Sequence, residues 1–107
     1  MNIITNDKDK LALAIVALKV VDDPEIGLNV VDLGLIYQVD FDVAEKTIYC
    51  TMTLTTQFCP MGQSISDSVS NALEQCFEDY NIDLKVIFDP PWSSQLISEE
   101  GREFLNQ

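Results

Sequence analysis

The chain has 107 residues, with 6 Lys and Arg against 18 Asp and Glu and no His, so its formal net charge is −12. This length predicts one domain. The scarcity of cations argues against nucleic acids and anionic membranes as partners, because both bind patches of Lys and Arg. The absence of His excludes Ser-His and Cys-His catalytic arrangements, and zinc or haem sites that use His.

The two ends and the cysteines indicate where the protein works. Residues 1–10 are polar and have neither the apolar region nor the cleavage site of a secretory signal. The longest apolar stretch, residues 11–18, is too short to span a bilayer. Three cysteines without a CxxC motif make a poor disulfide framework. We therefore expect a reducing, cytoplasmic location.

The first half of the chain predicts one helix followed by two strands. Apolar residues recur at helical spacing over residues 8–21, and the pattern breaks at Pro24, which pushes the preceding residue out of the α region. Apolar and polar residues then alternate over residues 35–42, as in a half-buried strand. A hairpin turn at residues 43–46 leads to a second alternating strand over residues 47–54.

The second half predicts a helix, a strand and a final helix. Pro60 is suited to be a first helical residue, and an apolar stripe continues over residues 61–80. Residues 82–88 alternate as a third strand, and Ser98 followed by two glutamates predicts the start of the last helix. The order α-β-β-α-β-α predicts an α/β (α+β) fold, one small domain with helices packed on a three-stranded mixed sheet.

Cys59 is the strongest candidate for chemistry on local grounds. It directly precedes Pro60 at a predicted helix start, where unpaired N–H groups and the helix dipole favour a thiolate. Such a cysteine is a better nucleophile and a better soft-metal ligand, although an unreactive thiol in a polar turn is the plainer interpretation. Cys50 and Cys76 lie on apolar faces, where a free cysteine packs as a small hydrophobic residue.

Five further side chains could line a site or contact a partner. Asp23 and Glu25 can act as an acid/base pair or as hard-metal ligands, although acidic loops are common in an acidic chain. Thr55 and Thr56 can donate hydrogen bonds to an anion or sulfur, although β propensity alone explains them. Trp92 is either an exposed aromatic contact for a partner or a residue packed over the core.

Three runs of sequence together resemble the SufT/PaaD-like iron–sulfur cluster assembly domain family, whose members are also called metal–sulfur cluster biosynthetic proteins. The runs are DPEIGLNVVDLGLIY (residues 23–37), TLTTQFCPMG (residues 53–62) and PPWSSQLISEEGREFL (residues 90–105). They occur in the family's order and spacing, and the likeness extends over a core of about residues 8–105. The resemblance implies a single domain with a role in maturing iron–sulfur clusters or carrying and delivering them to client proteins. We expect that the protein is not an enzyme.

The resemblance also implies a site and its partners. It implies that Asp23, Glu25, Thr55, Thr56 and Cys59 line one groove, with Cys59 as a transient ligand of a cluster or of sulfur. The implied partners are iron–sulfur assembly proteins and client apoproteins. The implied cofactor is an iron–sulfur cluster held in transit, with none expected in the resting protein.

Coordination chemistry limits what one chain does alone. A protein-held cluster takes about four thiolate or similar ligands, and this groove offers one, Cys59. Two copies acting as a homodimer, brief contact in transit, and contact with a partner protein all remain open. The alternatives are a metal-free adaptor that also uses Trp92, a maturation factor for a multi-component oxygenase, and an enzyme with Cys59 as nucleophile. Without His, that nucleophile would depend for activation on the helix terminus, with a Lys or a carboxylate as a further candidate.

Overall fold

A computed structural model describes residues 3–55 and 62–106, and in these residues helices pack against a four-stranded mixed sheet. The elements in chain order are β1 (Ile4–Thr5), α1 (Lys8–Leu18), β2 (Asp22–Asp23), β3 (Leu28–Asn29), β4 (Ile36–Asp42), β5 (Thr47–Met52), α2 (Gly62–Cys76), β6 (Asn81–Val86), a short 3-10 helix (Ser94–Leu96) and α3 (Glu99–Leu105).

The sheet confirms the predicted fold class and adds to its detail. Its strand order is β1-β4-β5-β6, in which β4 and β5 form the predicted antiparallel hairpin and β6 lies parallel to β5. The prediction of three strands lacks β1, which pairs with β4 through two residues and is too short to show a period. The loop predicted after Pro24 contains a second small ribbon of β2 and β3.

Alternation along the hairpin buries one face against the helices. Ile48, Cys50 and Met52 of β5 are almost completely inaccessible, as the sequence predicts. In β4 an irregularity in the pairing between Ile36 and Gln38 interrupts the alternation, so the buried residues of this strand are Ile36, Val39 and Phe41.

α1 and α3 begin where expected, whereas the predicted start of α2 at Pro60 lies outside the described residues. Asp7 caps α1 by accepting a hydrogen bond from the Lys10 N–H at 3.0 Å. α1 ends at Leu18 and α2 at Cys76, so the predicted extensions of both helices are wrong. The expectation that Cys76 packs in the core is also wrong. Cys76 is the last residue of α2 and is exposed, with its Sγ 3.8 Å from the Leu13 carbonyl oxygen.

The C-terminal segment crosses the chain that leads into β4, and we call residues 87–98 the strap. The Trp92 indole N–H donates to the Leu33 carbonyl oxygen at 2.6 Å, and the Tyr37 hydroxyl donates to the Pro90 carbonyl oxygen at 2.9 Å. Gly34 has φ +79°, and a Cβ there would overlap the backbone of Leu96 and lie 2.6 Å from its Cβ. Glycine therefore allows the strap to approach.

A buried carboxylate fastens the end of the strap. Asp32 is 7% exposed and accepts hydrogen bonds from the Asn29 amide (2.7 Å) and the Ser98 hydroxyl (2.8 Å). Ser98 also caps α3, as its sequence context predicts, by accepting from the Gly101 N–H. Burial acts to raise the pKa of the Asp32 carboxyl, but the hydrogen bonds from Asn29 and Ser98 and the charge of Lys19 outweigh it, so this pKa lies below its ordinary value.

Gly34→Ala should destabilise the fold more than Gly27→Ala does. Both glycines have positive φ, but a Cβ at Gly27 would meet nothing within 4 Å, whereas one at Gly34 would collide with Leu96. We expect losses of about 1 kcal/mol for Gly27→Ala and about 3 kcal/mol for Gly34→Ala in the free energy of unfolding. Urea denaturation measures both, and equal losses would contradict the close approach of the strap.

Replacing Asp32 should make stability less dependent on pH in the acid range. Because the pKa of Asp32 is lowered by folding, its stabilisation is fully present above the unfolded value of about 3.9 and is lost as the pH falls through the folded value. Asp32→Asn should lower the free energy of unfolding by about 1–3 kcal/mol at pH 7. The difference from the unmodified protein should shrink on acidification. A difference that stays constant with pH would show that the Asp32 charge contributes nothing.

Candidate functional site

The strand directions bring three separate parts of the chain to one end of the sheet. β4 begins where β5 ends, because these strands are antiparallel, and β6 ends beside β5, because those two are parallel. The loop before β4, the residues after β5 and the strap after β6 therefore meet there. We call this region the site end. Asp23, Glu25, Thr55 and Trp92 all belong to these three segments.

A series of backbone hydrogen bonds joins the acidic loop to the end of β5. The Val30 N–H donates to the Val21 carbonyl oxygen (2.9 Å), and the Leu35 N–H donates to the Val30 carbonyl oxygen (3.0 Å). The Thr53 N–H then donates to the Leu35 carbonyl oxygen (2.8 Å). Since all four residues are buried, these bonds hold the β2–β3 ribbon firmly against the sheet.

Asp23 shapes the turn between β2 and β3. Its side chain is 1% exposed, and its Oδ1 accepts a hydrogen bond from the Glu25 N–H at 2.9 Å. Its carbonyl oxygen accepts from the N–H groups of Ile26 (3.2 Å) and Gly27 (2.7 Å), and Gly27 closes the turn with φ +83°. Asp23 is thus an Asx-turn residue whose carboxylate is partly engaged by its own loop.

Glu25 has a different environment from Asp23. It lies at the tip of the turn with its side chain exposed, so the two carboxylates do not share the solvent environment that an acid/base pair in one cleft would have. Within residues 3–55 and 62–106, no group of three Cys, Asp or Glu side chains is placed to hold a metal ion. Of the two acids, Glu25 is the one that can reach a bound species from this loop.

Thr55 is the last described residue before α2 begins. It is partly exposed and follows the buried residues Thr53 and Leu54, of which Thr53 is bonded to the Leu35 backbone. Thr56 and Cys59 lie outside the described residues. The end of the β5 segment and the start of α2 lie close together. A Cβ at Gly62, the first residue of α2, would lie 2.7 Å from the Leu54 side chain.

The two described cysteines are separated from the site end. Cys50 is 1% exposed, which confirms its predicted core position, and burial raises the pKa of its thiol to about 12. Cys76 closes α2, whose first residue, Gly62, lies at the site end. Fifteen helical residues at a rise of about 1.5 Å each span roughly 22 Å. Neither thiol is placed to share a ligand with a residue at the site end.

Sequence reasoning missed Asn29 and Asp32, which fix the loop before β4. The Asp32 N–H donates to the Asn29 side-chain oxygen at 2.9 Å, and the Asn29 amide donates back to the Asp32 carboxylate. An Asn followed three residues later by an Asp, just before a strand, is a turn signal that sequence alone offers. The hydrogen bond from Ser98 to Asp32 could not be predicted from the sequence, because the two residues are 66 positions apart.

Trp92 is half-buried in the strap. Its ring packs against the hydrophobic core, and its N–H is committed to the Leu33 carbonyl oxygen. These contacts favour the packing interpretation of Trp92. A role in contacting a partner stays a prediction, as does the grouping of the five predicted residues in a functional groove.

No described helix is long and apolar enough to cross a membrane.

Comparison with solved structures supports the fold. A domain of unknown function, DUF59, from Bacillus anthracis is 33% identical and superposes with a TM-score of 0.82, covering 90% of each chain. A conserved hypothetical protein from Thermotoga maritima is 33% identical with a TM-score of 0.75 over the full length of both. A Mycobacterium tuberculosis protein described as associated with Fe–S complex assembly and repair is 37% identical with a TM-score of 0.52, covering 92% of this chain and 85% of the other.

Comparison with characterised sequences identifies the family. The Fe–S protein maturation auxiliary factor YitW of Bacillus subtilis is 40% identical over 86 residues, or 80% of this chain and 83% of the relative. The Staphylococcus aureus factor SufT, with the same description, is 38% identical over 80 residues, or 75% of this chain and 90% of the relative. Residues 14–84 match the sequence model of a family described as iron–sulfur cluster assembly protein. The chain belongs to the iron–sulfur cluster assembly protein family.

Proposed function

We propose that this protein is a maturation factor that receives an iron–sulfur cluster, or the sulfur for one, and passes it to a client apoprotein, with Cys59 as the transient ligand. The observation that carries the proposal is the convergence at the site end. The acidic turn, the end of β5 and the start of α2 meet there, and residues 56–61, which contain Cys59, connect the last two. The family membership supports the same role.

The rigidity of the site end suits a site that must present one ligand. The turn at Asp23 is held by its own hydrogen bonds, and the ribbon is fastened to the sheet by the backbone series that ends at Thr53. Binding sites are commonly built from loops held by such a scaffold. In our proposal Asp23 preserves the shape of the turn, while the exposed Glu25 and Thr55 face the cargo.

The distribution of thiols favours transient over permanent ligation. Cys50 is sealed in the core with a pKa near 12, and Cys76 lies at the other end of α2, so Cys59 is the chain's one remaining candidate thiol. Clusters are held by about four ligands, so the others come from the donor, the client, a second copy of the chain or small thiols. Such incomplete ligation leaves the cargo exchangeable, and the protein is then a carrier and not an enzyme.

Replacing Cys59 should abolish cluster handling without unfolding the protein. We expect Cys59→Ala to lose the visible absorption that anaerobic incubation with iron and sulfide produces, and to reduce activation of a client apoprotein at least about tenfold. Ultraviolet–visible spectroscopy and a client activity assay measure these effects.

Cys76→Ser is the matched control, because Cys76 is exposed and distant from the site end. It should behave like the unmodified protein in both assays. If Cys59→Ala and the unmodified protein gave the same spectra and the same client activation, the ligand role of Cys59 would be rejected.

The two acids of the turn should respond differently to loss of charge. Glu25→Gln should slow transfer to the client and leave the free energy of unfolding unchanged, because the side chain is exposed. Asp23→Ala should lower the free energy of unfolding by about 1–2 kcal/mol, because the Glu25 N–H loses the partly buried acceptor that shapes the turn. Transfer kinetics and urea denaturation separate the two effects. Normal transfer by Glu25→Gln would remove Glu25 from the site.

A further inference from the structure

The outer edge of β6 is open along the whole strand. β6 is the last strand in the sheet order, and among the described residues no strand pairs with its far side. The Asn81 N–H donates to the Lys46 carbonyl oxygen and the Ile87 N–H to the Met52 carbonyl oxygen, both at 2.8 Å. In a parallel pair the residues that bond to one neighbour alternate. The odd-numbered residues of β6 therefore bond to β5, and the backbone groups of Ile82, Leu84 and Val86 point outward.

The side chains along this edge have two distinct faces. Asp83 and Lys85 are exposed on the face of the sheet opposite α2, and neither forms an ion pair within the part of the chain that the structure describes. Ile82, Leu84 and Val86 lie on the face toward α2 and are only partly buried, although they pack against the core. An open edge with incompletely covered apolar side chains is a surface on which another strand can pair.

We propose that this edge pairs with a second copy of the chain, with β6 antiparallel to β6 of the partner subunit about a two-fold axis at Leu84. The argument is the charge complementarity of the strand with itself. In this register Asp83 lies opposite Lys85 of the partner subunit, and Lys85 lies opposite Asp83 of the partner subunit. The interface is isologous, as two-fold symmetry requires.

The backbone geometry permits this register. The facing pairs that exchange hydrogen bonds are Ile82 with Val86 of the partner subunit, Leu84 with its own copy, and Val86 with Ile82 of the partner subunit. These are the residues whose N–H and C=O groups point outward. Asp83 and Lys85 then fall in the non-hydrogen-bonded pairs, in which Cα atoms are about 4.5 Å apart and side chains are closest. Each oppositely charged pair stabilises the interface.

Charge also selects this register over its neighbours. A shift that centres the axis on residue 83 places Asp83 opposite its own copy, and one that centres it on residue 85 places Lys85 opposite its own copy. Like charges directly opposite each other destabilise strand pairing. A slip by one residue puts apolar side chains opposite charged ones on the wrong face. Among the residues of β6, Asn81–Val86, only the axis at Leu84 pairs unlike charges twice.

This dimer is independent of the proposed function. Because the two β6 strands run in opposite directions, the site ends of the two copies point away from each other. The dimer therefore keeps the two site ends apart. The dimer has a continuous eight-stranded sheet, and the two site ends lie at opposite ends of its strands. Loss of the dimer and loss of cluster handling are therefore separate outcomes.

Charge reversal at the edge tests the proposal by sedimentation equilibrium of the full chain over about 10 μM to 1 mM protein. The unmodified protein should show a reversible monomer–dimer equilibrium. Asp83→Lys and Lys85→Asp should each raise the dissociation constant about tenfold or more, because both create two like-charged pairs. The double variant D83K/K85D should restore dimerisation, because it exchanges the charges and keeps every pair unlike.

Mixing the two single variants tests the same charge pairs in a heterodimer. Asp83→Lys combined with Lys85→Asp should form a heterodimer more strongly than either forms a homodimer, because all facing pairs in the mixed complex are unlike. Circular dichroism confirms that the variants are folded. A protein that stays monomeric throughout the range would overturn the proposal. So would a dimer whose dissociation constant is insensitive to both reversals, since that dimer would use another surface.

Discussion

Three backbone hydrogen bonds, running from Val21 through Val30 and Leu35 to Thr53, give this molecule its site end. They attach the small β2–β3 ribbon to the main sheet, although β2 and β3 are not strands of that sheet. The position of the acidic turn depends on this connection. The turn at Asp23 has a fixed position relative to the end of β5 only because the ribbon that carries it is anchored there.

The C-terminal strap completes this region from the other side. Trp92 and Ser98 bond to groups in the segment that leads into β4, one to the Leu33 backbone and the other to the Asp32 carboxylate. Burying a carboxylate is costly unless donors surround it. Asp32 satisfies this condition with Asn29 from its own loop and Ser98 from the strap, so the acidic loop and the C-terminal segment stabilise each other.

The sequence predicts the long, periodic elements of this fold, but it does not predict the short strands or the helix ends. Alternation over β4, β5 and β6 and the stripe along α2 depend on many residues, so their periods are readable and the fold class follows. β1 and the β2–β3 ribbon have two residues per strand, which is too few for a period to appear. Cys76 was misplaced because periodicity shows which face a residue occupies but not whether the helix end is covered.

The candidate site is predictable in part for a related reason. Asp23, Glu25 and Thr55 could be proposed because they lie in motifs, and topology then brings their segments to one end of the sheet. The sequence did not predict that Asp23 is buried in its own turn while Glu25 is exposed. Whether an Asp in a loop points into its own turn or toward solvent depends on backbone angles such as the positive φ of Gly27, which composition does not reveal.

The link between Asp32 and Ser98 also bears on the order in which the protein is made. The two residues are 66 positions apart in the sequence. On a translating ribosome the loop emerges long before the hydroxyl that completes its carboxylate network, and a domain of this kind folds as a unit. The loop therefore attains its finished geometry only after Ser98 has been synthesised.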